Sequence, residues 1–432
     1  MRVSTSLLAK VALDTMLDQQ KMLSETQLQI STGRKILSPS DDPYGSARSL
    51  DLVQTIHVNE QYIANSGQAQ NRLILEEGAL EGVGNALQRV RELMVAANSD
   101  SQTPESREFI SKEIVQVLEQ VLALSNSVDS NGEFIFAGYQ GKTKPFEATG
   151  TGTFNYFGDD GQRYLKVGSA TTIALGDSGE HTFLNIKNGN GTFQTRENAA
   201  NQGTGIIDPG TVFGTYVADN YKVGFIPSTS GVFNAPVEYY VLDGQNNIIV
   251  PAAQAGITEA AFTGGGFSGI PYEEGAVIQG LDQLGVKTSI SGAPTAETGP
   301  PLRQDTFAIT PSNNQSIFAS VQNFVNTLLS PQNGSADLAH FHNAMNRAIV
   351  DMDEGIGRIL EVRSNIGARL NTVDKQLEIN ESFTLQLNAT LSEIQDLDYA
   401  EAITRLNGQL MGLEAAQNSY SRIQGLSLFD YL

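Results

Sequence analysis

Glycine and proline are segregated along this chain, and that segregation constrains the fold more than any other feature. Of 42 glycines in 432 residues, 27 lie between Gly141 and Asp305, together with nine of the 14 prolines. Both residue types oppose long helices, glycine through backbone entropy and proline through its missing N–H and its ring clash. The flanking stretches are poor in both and can hold long helices. The pattern therefore predicts an α+β chain in which N-terminal and C-terminal helical arms bracket a β-rich central insert, 141–305. Because the arms bracket one insert, they are expected to pack together as a long antiparallel helical rod. The expected division is a terminal helical assembly domain (1–40 and 395–432), a helical rod domain (41–140 and 306–394) and the surface-exposed insert.

Apolar spacing supports the arms. Leu80, Val83, Leu87, Val90, Met94 and Ala97 advance by threes and fours, which puts them on one helical stripe. Ile110, Ile114, Val117, Val121, Leu124 and Val128 do the same, after a Thr103-Pro104 start that supplies a cap and a first-turn proline. Asp42-Pro43 opens the preceding long helix in the same way, and Gly67, Gly78, Gly82 and Gly84 predict bends or close packing within it. Beyond the insert, Thr310-Pro311 reads as the start of a shorter helix to about Leu329. A long stripe follows, from Phe341 and Met345 through Met352 and Ile359 to Ile366, Val373 and Leu377.

The outermost segments carry narrow seams: Met16, Leu23 and Ile30, with Leu13 nearby, at one end. At the other stand Tyr399, Ile403, Leu406, Leu410, Leu413, Tyr420 and Ile423. Narrow seams suit helices that pack lengthwise on one another or on copies in other subunits. The residues named in these two sets are the expected assembly interface, whereas 80–128 and 341–377 are expected to form an intrachain core.

Within the insert, Val237–Leu242 and Ile248–Val250 read as strands joined at Asp243-Gly244. Phe154–Phe157 and Arg163–Val167 read as strands flanking Gly158-Asp159-Asp160-Gly161. The stretch 256–301 yields no strand assignment.

Composition narrows the function. With 48 acidic and 27 basic side chains, the formal charge is −21, which disfavours nucleic acid and anionic membrane as partners. No cysteine is present, so disulfides, thiolate metal sites and cysteine nucleophiles are excluded. Lys10, Asp14, Asp18 and Lys21 interrupt Met1–Ile30, which does not read as a cleavable signal peptide, and no apolar run reaches the roughly 18 residues of a membrane span. Gly264–Gly269 matches a dinucleotide-binding pattern literally but lacks the strand-turn-helix around it. His340 and His342, two apart on a helix, face away from each other, and Asp41-Asp42 reads as a helix-start turn. Asp159, Asp160, Asp243, Glu273 and Glu274 read as solvated turns. No catalytic residue, metal site or cofactor is expected.

Three segments carry a resemblance. Ile30-Ser-Thr-Gly33-Arg34-Lys-Ile-Leu-Ser-Pro-Ser-Asp41-Asp42-Pro43 is similar to the N-terminal signature of the bacterial flagellin-like family. Arg363-Ser-Asn-Ile-Gly367-Ala-Arg369-Leu370 and Leu397-Asp-Tyr-Ala-Glu-Ala402 resemble its C-terminal signature. Met1–Thr5, Pro39–Pro43 and Ser427–Leu432 are similar to the branch of that family that joins hook to filament. The resemblance implies a non-enzymatic structural subunit of the extracellular flagellum that adapts one tubular lattice to another. It also implies type III export without a cleaved signal, and terminal helices that are loose in the monomer and pack in coiled-coil fashion on assembly. The implied partners are hook-associated protein 1, flagellin, further copies of the chain in a ring or helical tier, and an export chaperone before secretion. A filament flagellin, or a secreted adhesin or enzyme with its activity in the insert, would share parts of this pattern.

Overall fold

The computed structural model describes residues 5–99, 101–149, 152–228, 237–259, 261, 268–297 and 303–425. Helices dominate both ends: α1 (Thr5–Thr32), α2 (Pro43–Ala97) and α3 (Pro104–Ser125) precede the central region, and α4 (Ile317–Leu328), α5 (Ser335–Gln395) and α6 (Tyr399–Gly425) follow it. The centre is built from short strands. This is the α+β architecture expected from the glycine and proline distribution. Two compact units are present, one comprising Met1–Gly67, Lys166–Thr171 and Val373–Leu432, the other Gln68–Leu165 and Thr172–Thr372. Among the described residues, no helix is long and apolar enough to cross a membrane.

In the first unit, α1 packs along α6, and the Pro43–Gly67 part of α2 packs along the Val373–Gln395 part of α5. Among the described residues its buried apolar side chains are few: Leu52, Ile56, Val167, Val373, Leu387, Leu397 and Ala402. Buried amides supplement them. Asn59 donates to Asn380 O (2.5 Å) and Thr384 Oγ1 (2.6 Å), and Asn380 donates to Val167 O (2.8 Å).

The second unit holds the large core. Leu80, Val83, Leu87, Val90, Met94 and Ala97 are all fully buried, as are Met345, Met352, Ile359 and Ile366. Helix α2 is continuous through its glycines. Gly82 marks a close approach to α3, since a Cβ there would stand 3.0 Å from Leu124 Cδ1, whereas Gly67 and Gly78 face open space. On α3, Thr103 caps the helix through Ser106 N (3.2 Å) ahead of Pro104. The buried stripe of α3 is Arg107, Ser111, Ile114, Leu118, Val121 and Ser125. Thus Ile114 and Val121 of the expected stripe are central, Ile110, Val117 and Leu124 flank it, and Val128, past the helix end, is exposed.

The central sheet consists of β1 (Phe193–Glu197), β2 (Tyr221–Ile226), β3 (Glu238–Leu242), β4 (Ile248–Val250), β5 (Ile270–Pro271) and β6 (Thr306–Pro311). The order is β4-β3-β2-β6-β1 with β5 also on β3, and every pair is antiparallel. Alternation along β3 sends Tyr239 and Val241 into one apolar cluster and Tyr240 and Leu242 into another, so both faces are covered.

Two expectations are corrected here. Thr310-Pro311 ends β6 and does not open a helix; α4 begins at Ile317 after Ser316. A residue before proline prefers extended backbone, and the ladder with β1 holds both in it. The strands around 158–161 exist, yet they do not pair with each other. Thr153–Tyr156 pairs with Phe146–Thr149, and Tyr164–Lys166 pairs with Thr172–Ala174. Asp159 explains the difference: its Oδ1 accepts from Tyr139 N (2.8 Å) and Gly161 N (2.9 Å), which ties the linker to a neighbouring loop and precludes a hairpin turn.

Candidate assembly interface

Helices α1 and α6 run antiparallel, because a Cβ on Gly33 would stand 3.0 Å from the Tyr399 hydroxyl and one on Gly412 would stand 3.0 Å from Gln19 Oε1. Their buried and half-buried positions show how they meet. On α1 these are Ala12, Met16, Gln19, Leu23, Thr26, Gln29 and Ile30; on α6 they are Ala402, Leu406, Gln409, Gly412, Leu413, Ala416 and Tyr420. Gln29 and Gly412 apart, both sets advance 4-3-4-3-4, the seam of a two-stranded coiled coil. Met16, Leu23, Ile30, Leu406, Leu413 and Tyr420 therefore face the partner helix of the same chain. Leu13, Tyr399, Ile403 and Leu410 do not; they are exposed. The Ile423 side chain lies outside the described residues.

The exposed set has its own geometry. At about 100° per residue, Leu13 lies on one flank of the α1 seam, Leu17 and Leu28 lie toward the back of the helix, and Leu7, Val11 and Met22 are exposed on the other flank. Antiparallel pairing sets the Leu13 flank beside Tyr399, Ile403 and Leu410 of α6. All are exposed, with Leu17 at 55%. The hairpin thus exposes apolar side chains from both helices on the surfaces that flank its seam. Leu17 and Leu28 escaped sequence reasoning because they sit outside the seven-residue repeat; the signal for them was a second stripe, 11 residues from Leu17 to Leu28.

The signature residues close this hairpin. Gly33 adopts φ +71°, the left-handed conformation that ends α1. Leu397 N donates to Gly33 O (3.0 Å) and Lys35 N donates to Gln395 O (2.8 Å), with Arg34 and Asp396 bridged between them. The turn after α1 and the break between α5 and α6 are therefore one clasp. Gln29 seals it by donating to Lys35 O (2.8 Å). Asp398 caps α6 by accepting from Ala400 N (2.9 Å) and Glu401 N (3.2 Å).

Asp41 organises the next turn, accepting from Ser38 N (2.8 Å), Leu37 N (3.1 Å) and the Ser38 hydroxyl (2.8 Å). These bonds, the Ser38 amide foremost, hold its carboxyl below the usual range. Asp42 accepts from Gly45 N (2.8 Å) at the start of α2, with Pro43 as its first residue. His340 and His342 bond separately, to Asn201 O (3.0 Å) and Asn98 Oδ1 (2.9 Å). Gly264, Gly265 and Gly266, like Met1–Ser4 and Leu426–Leu432, lie outside the described residues.

The other signature belongs to the second unit. Arg363 places Nε and Nη2 on Glu77 Oε1 (2.9 and 2.7 Å), and Arg369 is bidentate on Asp177 (2.9 and 2.9 Å). Gly367 faces open space. Asp177 N in turn donates to Oε1 of the fully buried Glu76 (2.8 Å), whose Oε2 has no hydrogen-bond partner. Burial, and secondly the charge of Asp177, push the Glu76 carboxyl up to about 8. Arg72 completes the group on Asp129 (2.8 Å). This is a structural charge cluster.

Residues 3–141 match the bacterial flagellin N-terminal helical region, and residues 349–432 match the bacterial flagellin C-terminal helical region. The crystal structure of flagellar hook-associated protein 3 from Legionella pneumophila superposes with a TM-score of 0.70 at 30% identity, covering 79% of this chain and 98% of that one. This chain belongs to the flagellar hook-associated protein 3 family. Hook-associated protein 3 of Salmonella typhimurium is 31% identical over 187 residues, which are 43% of this chain and 58% of the relative's length. FlgL of Xanthomonas campestris, a further structural neighbour, gives a TM-score of 0.66 at 26% identity over 79% of this chain and 99% of its own. Flagellins match over less: a phase 1 flagellin of Salmonella naestved is 31% identical over 130 residues, 30% of this chain and 26% of its own.

Proposed function

We propose that this chain is a structural subunit of the bacterial flagellum that joins hook to filament, adapting one tubular lattice to the other. The reading is carried by the exposed apolar surface of the α1–α6 hairpin. Among the described residues of the first unit the exposed large apolar side chains outnumber the buried ones, and Leu13, Leu17 and Leu28 of α1 and Tyr399, Ile403 and Leu410 of α6 are among them. A patch of this kind marks a protein-binding surface. The terminal segments 1–40 and 395–432 act as the assembly domain and 41–140 with 306–394 as the supporting helical domain, while 141–305 is the exposed insert.

In this reading the subunit packs against further copies of itself, against hook-associated protein 1 on the hook side and against flagellin on the filament side. It travels through the flagellar export apparatus unfolded, accompanied by a chaperone and without signal cleavage, and ends outside the cell. The absence of cysteine suits a chain threaded through a narrow channel. No chemistry is assigned to it.

Glutamate at Leu13 and Leu410 tests the proposal. Both side chains are exposed, so helix content should persist while attachment of filaments fails, with hooks retained and flagellin released into the medium. Filaments that persist when the gene is removed, or purified filaments made chiefly of this chain, would sink it; the second result would make the chain a flagellin.

A further inference from the structure

Asparagine is followed by glycine five times in this chain, at Asn131-Gly132, Asn188-Gly189, Asn190-Gly191, Asn333-Gly334 and Asn407-Gly408. Such a pair can close on itself, because glycine has no side chain to shield its amide nitrogen from the preceding side-chain carbonyl. Closure needs two freedoms: an asparagine side chain able to turn toward the chain, and a glycine N–H that no acceptor holds.

Four of the pairs lack them. Gly189 N donates to Asp351 Oδ1 (2.7 Å), while Asn188 donates to Gln194 Oε1 (3.1 Å) and accepts from Asn313 N (2.9 Å). Asn190 donates to Gly210 O (3.1 Å) and accepts from Thr192 N (3.1 Å) and Phe193 N (2.9 Å). Gly132 N donates to Asp129 O (3.0 Å), in a turn where Asn131 N also bonds Asp129 Oδ1 (2.8 Å). Asn407 and Gly408 lie inside α6, where the helix ladder engages the glycine amide.

Asn333-Gly334 differs, and helix capping is the reason. Gly334 O accepts from Leu338 N (3.0 Å), so Gly334 is the cap residue of α5, and the N–H of a cap residue lies outside the ladder. In a capping box the side chain three residues on accepts that N–H. Here Asp337 Oδ2 accepts from Asn333 N instead (3.0 Å), one residue early. Gly334 N is left with no acceptor among the described residues. Asn333 and Gly334 are both exposed, and nothing lies within 4 Å of the place a Cβ on Gly334 would take.

We propose that Asn333 is the site at which the folded chain deamidates spontaneously. Gly334 N gives up its proton to hydroxide and attacks Asn333 Cγ. The new N–Cγ bond closes a succinimide, the Cγ–Nδ2 bond breaks, and the nitrogen leaves as ammonia after taking up a proton. Water then opens the ring at either carbonyl, giving aspartate or isoaspartate; water is consumed, ammonia is released, and nothing is oxidised. Either product sets a new negative charge within a turn of Asp337. Isoaspartate also lengthens the main chain by a carbon atom between Gln332, which bonds Arg107 of α3, and the start of α5.

The full-length chain is incubated in mildly alkaline buffer, once folded and once in urea, and its peptides are followed by mass spectrometry with fragmentation that separates aspartate from isoaspartate. In urea all five pairs should convert at similar rates. In the folded chain Asn333 should keep most of its rate, increasing with pH, while the other four fall many-fold behind. Gly334→Ala, whose methyl group enters open space, should slow conversion at Asn333 many-fold and leave thermal unfolding no lower. Conversion of any other pair as fast as Asn333 in the folded chain would overturn the assignment. So would an Asn333 that converts in urea but not when folded, or one that converts unchanged in Gly334→Ala.

Discussion

Replacing Glu76 by glutamine should change how stability depends on pH. Glu76 is fully buried, its Oε1 accepts from Asp177 N, and its Oε2 has no hydrogen-bond partner. Desolvation, followed by the nearby Asp177 charge, raises its carboxyl from 4.5 to about 8. The folded chain therefore holds a proton between those values that the unfolded chain has released. Stability from this group is full below pH 4.5, falls as pH rises through the window, and is flat above 8. The slope is about 1.4 kcal/mol per pH unit, so the loss across the window is about 5 kcal/mol.

Glutamine keeps an acceptor for Asp177 N and cannot ionise. Wild type and Glu76→Gln should then match near pH 5 and diverge by several kcal/mol at pH 8 and above, with the variant the more stable. Urea unfolding followed by circular dichroism from pH 5 to 9 reads the divergence. Hydrogen exchange around residues 175–180 assigns it to the second unit, since two compact units need not unfold together. Parallel curves across the whole range would refute the reasoning.

Three further outcomes follow from packing and charge. Gly33→Ala should destabilise the clasp by about 1–2 kcal/mol, because φ +71° is costly for an L-residue and the Tyr399 hydroxyl would lie 3.0 Å from the new carbon; faster exchange at Lys35 and Leu397 amides would report it. Gly78→Ala should stabilise α2 by about 0.5–1 kcal/mol, since nothing lies near it. Gly82→Ala should gain less or lose, because Leu124 must move, and thermal unfolding should rank the two in that order. Arg369→Ala should cost about 3–5 kcal/mol by leaving the Asp177 carboxylate buried without its bidentate partner, read from the denaturant midpoint; Arg369→Lys should recover only part of it, because an ammonium cannot bond both oxygens.

The helical arms were legible because helix periodicity and capping are local. Leu80 to Ala97 announced a buried stripe, and Thr103-Pro104 and Asp42-Pro43 announced two helix starts that the structure contains. Thr310-Pro311 has the same letters and ends a strand, because a ladder to Gln194 and Phe193, more than a hundred residues away, fixes its backbone. Strand pairing around 158–161 failed for the same reason: Asp159 is claimed by Tyr139, and nothing local reveals that. At the candidate interface, the spacing of Met16, Leu23 and Ile30 marked a seam, but spacing does not say which surface fills it. The structure gives that seam to α6 and leaves Leu13, Ile403 and Leu410 outward. Glu76 carried no sequence signal, since its burial depends on Asp177 and Arg369 arriving from distant segments.

Among the described residues, the first unit leaves more large apolar side chains exposed than buried. A fully buried leucine, isoleucine or phenylalanine contributes about 1.5–3 kcal/mol, so a few side chains at one contact are of the same size as the cost of association, roughly 4–15 kcal/mol. A single such contact between two copies is marginal. A ring or tier would change the balance, because each copy would then bury apolar surface against more than one neighbour. Under the proposed role, several contacts per copy, each weak alone, would make an assembly that forms only when every neighbour is in place.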